Sequence, residues 1–94
     1  MTVQHAPDQR RFTADTEHGT AELAYTRSGD RITFVHTEVP KADEGQGVGS
    51  ALAEAGLNFA RENGLVVVPQ CPFVAQYVRD HPDTHDLLAS DASV

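Results

Sequence analysis

The stretch that most restricts this chain is Gly45-Gln46-Gly47-Val48-Gly49-Ser50, three glycines at alternate positions running straight into a helical pattern. Val48, Ala51, Leu52, Ala55, Phe59 and Ala60 recur at helical spacing, with Glu54, Asn58, Arg61 and Glu62 on the other side. The spacing predicts a helix over residues 47–63, with Gly64 placed as its left-handed cap. Before the loop, residues 31–39 are rich in β-branched and aromatic side chains and stop at Pro40, which cannot donate to a strand ladder. After the helix, residues 65–69 form a short apolar run with three valines, the pattern of a strand buried on both faces. Strand, glycine turn, helix and strand in this order make a β-loop-α-β unit. Its two strands should lie parallel, joined by a right-handed crossover.

The remaining segments frame that unit. Residues 20–28 alternate, with Ala21, Leu23 and Tyr25 on one face, and Ser28-Gly29-Asp30 reads as a hairpin turn into the strand 31–39. Residues 11–17 alternate weakly, and His18-Gly19 reads as another turn. Pro72 opens a second helix whose apolar stripe is Phe73, Val74, Tyr77 and Val78, and which stops near His81-Pro82. Residues 1–10 show no period and read as a loose arm; the polar stretch after Pro82 reads as a fraying end, with 89–94 a tail outside the domain. The fold class is therefore α/β (α+β): one domain over residues 11–88, with a mixed, mostly antiparallel sheet, one parallel strand pair and two main helices. Ninety-four residues leave no room for a second core.

Charge and cysteine content remove several function classes. Seven Lys and Arg against fourteen Asp and Glu give a net charge of −7, and the cations are scattered, which excludes general binding to nucleic acid. An acidic surface suits a cationic acceptor such as an amine, and equally suits plain solubility. A single cysteine excludes an internal disulfide framework and a four-cysteine zinc site. His5, His18, His81 and His85 read as surface residues, since Pro82 lies inside the one helical His-x-x-x-His spacing, so no metal is expected. No apolar run approaches the roughly 20 residues of a membrane span, and residues 1–12 lack the apolar core of a secretory signal. The expectation is a cytoplasmic chain with no membrane partner.

What the glycine loop binds can be narrowed by elimination. A helix N-terminus presents free N–H groups and a partial positive charge, and glycines let an anion approach without Cβ atoms in the way. A P-loop would need a lysine where Gly49-Ser50 has none. A dinucleotide fingerprint would need Gly or Ala in place of Ser50 and an acidic residue after the next strand, where Val68-Pro69-Gln70 stands. What remains is either a main-chain cradle for another anion or a tight entry turn with close helix packing.

Three segments together, Phe34-Val35-His36-Thr37-Glu38-Val39-Pro40, the Gly45–Gly49 loop and Val68-Pro69-Gln70-Cys71-Pro72-Phe73-Val74, resemble the small GCN5-related N-acetyltransferase-like proteins. The resemblance covers roughly residues 20–82. It implies a minimal fold of that family in which the loop amides hold the pyrophosphate of acetyl-CoA and the pantetheine arm lies between two splayed parallel strands, here 31–39 and 65–69. It points to acetyl-CoA or coenzyme A as cofactor, contacted by Thr37, Val39, Gly45, Gln46, Gly47, Val48, Gly49, Ser50, Cys71, Phe73 and Tyr77. One position departs from the pattern: Glu44 stands where the family usually carries arginine, and a carboxylate beside a pyrophosphate is repulsive.

Acetyl transfer to an amine needs a free lone pair, a donor for the tetrahedral oxyanion and a proton for the leaving thiolate. The resemblance puts the oxyanion donor on the main chain near Glu38 or Val39. Cys71, ahead of Pro72 at a helix start, has three readings: a transient acetyl-cysteine nucleophile, a proton donor to the coenzyme thiolate, or a small buried apolar residue. His36 and Glu38, two apart on a strand face shared with Ile32 and Phe34, are a candidate base and its partner, or simply polar strand-end residues. Tyr77 is a candidate proton donor by resemblance and a packing residue by its apolar neighbours. Larger relatives carry two helices between their first strands, and residues 16–21 leave no space for them, so the acceptor face is expected to be open. The reading is an N-acetyltransferase acting on a protein lysine, an N-terminus or a small amine, as a monomer or weak homodimer. The competing readings are a coenzyme A-binding module without catalysis and a protein-interaction domain that uses the acidic surface.

Overall fold

The computed structural model describes residues 2–89. The chain runs β1 (Val3–Ala6), β2 (Arg11–Thr16), β3 (Gly19–Ser28), β4 (Arg31–Glu38), α1 (Val48–Glu62), β5 (Val66–Pro69) and α2 (Pro72–Asp80), then a 3-10 turn over Pro82–Leu87. The five strands form one sheet in sequential order. The first three junctions are antiparallel, and β4 and β5 pair in parallel. This is the mixed sheet with one parallel pair and two helices that the sequence predicts.

One face of the sheet carries the core. Phe12, Ala14, Ala21, Leu23, Tyr25, Ile32, Phe34 and Val67 are buried, and α1 sets Val48, Leu52, Leu57 and Ala60 against them while α2 adds Val74 and Val78. Each such aliphatic or aromatic side chain contributes about 1.5–3 kcal/mol by leaving water. At Gly56 a Cβ would lie 2.8 Å from Phe34 Cε1 and 3.2 Å from Leu23 Cδ2, so the helix rests directly on the strands there. The opposite face carries the half-buried residues Thr13, Glu22, Ala24 and Thr33. Val66 and Val68 also lie on it half-buried, so β5 is covered on one face only. Among the described residues a single helical layer covers the sheet, the body is 18 Å deep along its short axis, and no helix packs on the second face.

Residues 3–6 and 86–89 are tied into the fold, which their sequences do not suggest. Residues 3–6 are not a loose arm: Val3 pairs with Ala14 and Ala6 with Arg11, making β1 the sheet's first edge. At the other end Leu87 is buried, Leu88 bridges to Val67, and the Ala89 N–H donates to the Val67 carbonyl at 2.9 Å. Arg61 clasps this segment through two bonds to Asp86 at 2.8 and 3.0 Å. Segments of four residues or fewer are too short for a period to show, and their pairing is settled by the sheet they meet. Of the predicted tail, residues 90–94 lie outside the described residues.

A bulge changes the middle of the sheet. Ala24 faces His36, but the next residue, Tyr25, faces Phe34, so Val35 is an extra residue on β4. Directly opposed residues share a face. Thr37, opposite buried Leu23, therefore lies on the helix-covered face, and His36, opposite Ala24, lies on the open one. A strict period of two puts His36 and Glu38 with Ile32 and Phe34. The bulge reverses that placement.

Candidate functional site

Strand β4 outruns its parallel neighbour. Arg31 to Phe34 pair with Val66 to Pro69, after which β5 ends and the chain turns into α2. The last tie is the Cys71 N–H, which donates to the Phe34 carbonyl at 2.7 Å. Beyond it, residues 35–38 of β4 have no strand beside them on that side among the described residues, because β5 has ended; the resemblance implied that the two strands splay apart, and here the opening comes from the shortness of β5. Thr37 and Cys71 meet across the parting, with Oγ1 and Sγ 3.1 Å apart.

A cleft of about 570 Å³ opens from this point toward the start of α1. Thr37 and Val39 form its wall along β4 and Phe73 its wall on α2; Gly45, Gly47, Val48, Gly49 and Ser50 form the end at α1. Gly47, the N-cap, and Gly45 both adopt φ near +84°, a region that side-chain-bearing residues rarely enter. A Cβ at either would meet nothing within 4 Å, whereas one at Gly49 would lie 2.7 Å from Phe73 Cζ, so the loop is open at its first two glycines and closely packed at the third. No side chain caps α1, and among the described residues the N–H groups of Val48, Gly49 and Ser50 have no acceptor. They carry the unmatched positive end of the helix dipole.

Two carboxylates border the cradle. Glu44 is exposed on its rim. Asp43 has no solvent-accessible side-chain surface and is turned toward the β2–β3 connection. Its Oδ2 accepts the His18 main-chain N–H at 3.2 Å and its Oδ1 lies 3.0 Å from His18 Nδ1. The hydrogen bond from the His18 side chain, followed by one from Thr16, holds the Asp43 carboxyl below its usual range. Asp43 thus stays ionised, with its charge committed to a turn 25 residues away. The sequence reading missed this latch. Asp43 sits in a polar 3-10 turn and His18 in a two-residue hairpin, and no spacing connects them.

The sequence-predicted residues divide. Thr37, Val39, Gly45, Gly47, Val48, Gly49, Ser50 and Phe73 line the one cleft. Cys71 lies buried beneath it against Thr37. Gln46 is exposed on the loop and does not line the cleft. Tyr77 is elsewhere: it stacks on His81 at 3.9 Å and borders a separate hollow with Glu54, Leu57 and Asp83. Burial first, then the Glu54 and Asp83 carboxylates, raise its hydroxyl pKa. His36 and Glu38 bond each other, Nε2 to Oε2, at 3.2 Å on the open face, with side chains 54% and 70% exposed.

The profile of the GCN5-related N-acetyl-transferase family matches residues 11–87, nearly all of the described chain. The chain belongs to that family. Relatives named Protein NATD1 are 37% identical over 85 residues in both Gallus gallus and Homo sapiens, covering 87% of this chain and 77% and 75% of theirs. The solution NMR structure of a GCN5-like protein from Staphylococcus aureus superposes with a TM-score of 0.74 at 27% identity, over 94% of this chain and 87% of that one. Acetyl-CoA is the cofactor this family generally uses. Among the described residues no helix is long and apolar enough to cross a membrane.

Proposed function

We propose that this protein binds acetyl-CoA in the cleft between β4, α2 and the start of α1, and transfers its acetyl group to an amine. The observation that carries the reading is the set of acceptor-free amides at Val48, Gly49 and Ser50, fronted by two left-handed glycines whose Cβ positions open onto nothing. A diphosphate fits that set: it needs several converging N–H donors and no side chain between them. When bound, acetyl-CoA supplies a thioester acetyl group already activated for transfer.

The chain's own groups then have separable tasks. The α1 amides anchor the diphosphate, and Thr37, Val39 and Phe73 hold the arm along β4 on the helix-covered face. An amine coming from the open side would pass between β4 and the Cys71 turn, which the Thr37–Cys71 contact bridges at 3.1 Å and which must open to admit it. There His36 Nε2, oriented by Glu38, is placed to take the amine proton. Main-chain N–H groups near Glu38 and Val39 are the candidate oxyanion donors. The Cys71 thiol, hydrogen-bonded to Thr37, is the group that either returns a proton to the leaving thiolate or carries the acetyl group in passing. The two-residue connection between β2 and β3 leaves this acceptor side uncovered, which supports a protein lysine, an N-terminus or a small amine equally well.

The test is a titration with acetyl-CoA followed by an amine-dependent assay for released coenzyme A thiol. Saturable binding with turnover, reduced at least tenfold in His36→Ala and Cys71→Ala, supports the reading. Mass spectrometry separates the two roles of Cys71: an acetyl adduct marks covalent carriage, and turnover without one marks proton donation. The second reading is a coenzyme A-binding module without catalysis. Tyr77, the remaining candidate proton donor, faces a different hollow, which favours it. Binding with no turnover on any amine would establish that reading, and absence of binding would overturn both.

A further inference from the structure

A second cleft, of about 340 Å³, lies at the opposite end of α1, bordered by His5, Pro7, Arg10, Tyr25, Arg27 and Phe59. Its floor is aromatic. The His5 ring stacks on Phe12 at 4.2 Å, nearly parallel, and meets Phe59 edge-on at 4.5 Å. The Tyr25 ring is 5.7 Å from His5, and its hydroxyl is 2.6 Å from His5 Nε2. Burial lowers the His5 pKa, so the imidazole is kept neutral and offers a flat face rather than a charge.

The rim, by contrast, is cationic. The Arg27 guanidinium sits 6.0 Å above the Phe59 ring centre. Arg10 is, among the described residues, the one non-glycine with a left-handed backbone, at φ 54° and ψ 50°. Its N–H donates to the Pro7 carbonyl and its carbonyl accepts the Tyr25 N–H at 2.9 Å, so the conformation is enforced from both sides. Such a conformation costs on the order of 1 kcal/mol and persists where surrounding structure imposes it. Both guanidinia bear on Tyr25, where their charge opposes the rise that burial imposes on the hydroxyl.

These two cations are unmatched in an acidic protein. Arg11 pairs with Glu22 and Arg61 with Asp86, while Arg10 and Arg27 have no carboxylate within ion-pair distance among the described residues. None of the thirteen acidic side chains among the described residues lines this cleft. A simple inorganic anion would satisfy the arginines and leave the rings unused, whereas a neutral ring would do the reverse. An anion on a flat apolar body uses both.

We propose that this cleft is a binding site for a small aromatic carboxylate, its ring laid against His5, Tyr25 and Phe59 and its carboxylate held by Arg10 and Arg27. Phe59 is ten residues beyond Gly49, about 15 Å along the helix axis, so the site is separate from the glycine cleft and the proposal does not rest on acetyl transfer.

The experiment is an amide-resolved NMR titration of the whole protein with indole-3-acetate, against indole-3-acetamide, cyclohexanecarboxylate and inorganic phosphate as probes. The expected result is saturable shifts at residues 5, 10, 25, 27 and 59 with indole-3-acetate, at least tenfold weaker binding of the amide, and weaker binding again of the two ring-free or ring-saturated anions. Arg27→Gln and Arg10→Gly, the latter relieving the left-handed strain, should each lower affinity about tenfold with the melting temperature little changed. Saturating acetyl-CoA should leave the affinity as it was. Equal binding of acid and amide, loss of the shifts on adding acetyl-CoA, or no saturable shifts up to about 10 mM probe would each overturn the proposal.

Discussion

The clefts at the two ends of α1 each carry positive potential, and it is built from different material. At the N-terminal end the donors are main-chain amides, exposed by glycines and carrying no titratable proton. At the C-terminal end they are two arginine side chains above an aromatic floor. Main-chain donors tolerate substitution of nearly every neighbour but not an added Cβ or a closed approach; side-chain donors can be removed singly without touching the backbone. The first device is therefore sensitive to shape and the second to charge, which is what experiments on either end should detect.

The largest expected effect is steric and confined to the glycine end. A Cβ at Gly49 would stand 2.7 Å from Phe73 Cζ, and Phe73, 42% exposed, must swing out of the cleft wall to admit it. Gly49→Val should weaken acetyl-CoA binding about a hundredfold by calorimetry while the protein stays folded, and Arg27→Gln should leave that binding unchanged. Equal losses in both variants would dissolve the distinction between the ends. The middle of the same helix gives a control in which the neighbour cannot move. Gly56→Ala meets fully buried Phe34, and its expected loss is stability, about 1–3 kcal/mol by denaturant unfolding.

A smaller effect should follow from charge at the glycine end. Glu44 borders the cradle with no compensating partner among the described residues, unlike Asp43. Glu44→Arg should tighten coenzyme A binding about tenfold at low salt, with the gain shrinking as salt rises. An unchanged affinity would mean that the Glu44 carboxylate turns away from the bound diphosphate.

The smallest effects lie in pH dependence, and the two ends should occupy different windows. His5 has a lowered folded-state pKa, so the unfolded chain takes up the proton first, and stability present above about pH 6.5 should be lost as pH falls below it. Asp43 is also lowered, but as a carboxylate: its contribution is present above about pH 4 and is lost as pH falls through the acid range. Unfolding midpoints between pH 7 and 5.5 should decline in the natural protein and stay level in His5→Phe. Asp43→Asn should alter only the more acidic part of the curve.

How much of this was legible in the sequence depended on whether a feature is local. The β4–loop–α1–β5 unit showed itself because its signals are contiguous: β-branched residues closed by Pro40, glycines at 45, 47 and 49, a 3.6-residue period to Ala60, and three valines. Eight of the candidate cofactor residues fell into one cleft for the same reason. The bulge left no trace, because Val35 suits either face of a strand, and it alone moved His36 and Glu38 to the open side. The His18–Asp43 latch and the Arg10–Arg27 rim join residues that only the folded sheet brings together. Tyr77 sits on the predicted helix at the predicted turn; which hollow it faces is set by how α2 leans on α1, and periodicity does not report that.

Leu88 beside Val67 occupies a sixth place in the sheet, so β1 and the segment near residue 88 stand on opposite margins. At the usual strand spacing they are roughly 20–25 Å apart. A circular permutant joining residue 2 to residue 89 would therefore need a linker of at least about seven extended residues to cross the sheet, and a shorter one would pull β1 from its edge.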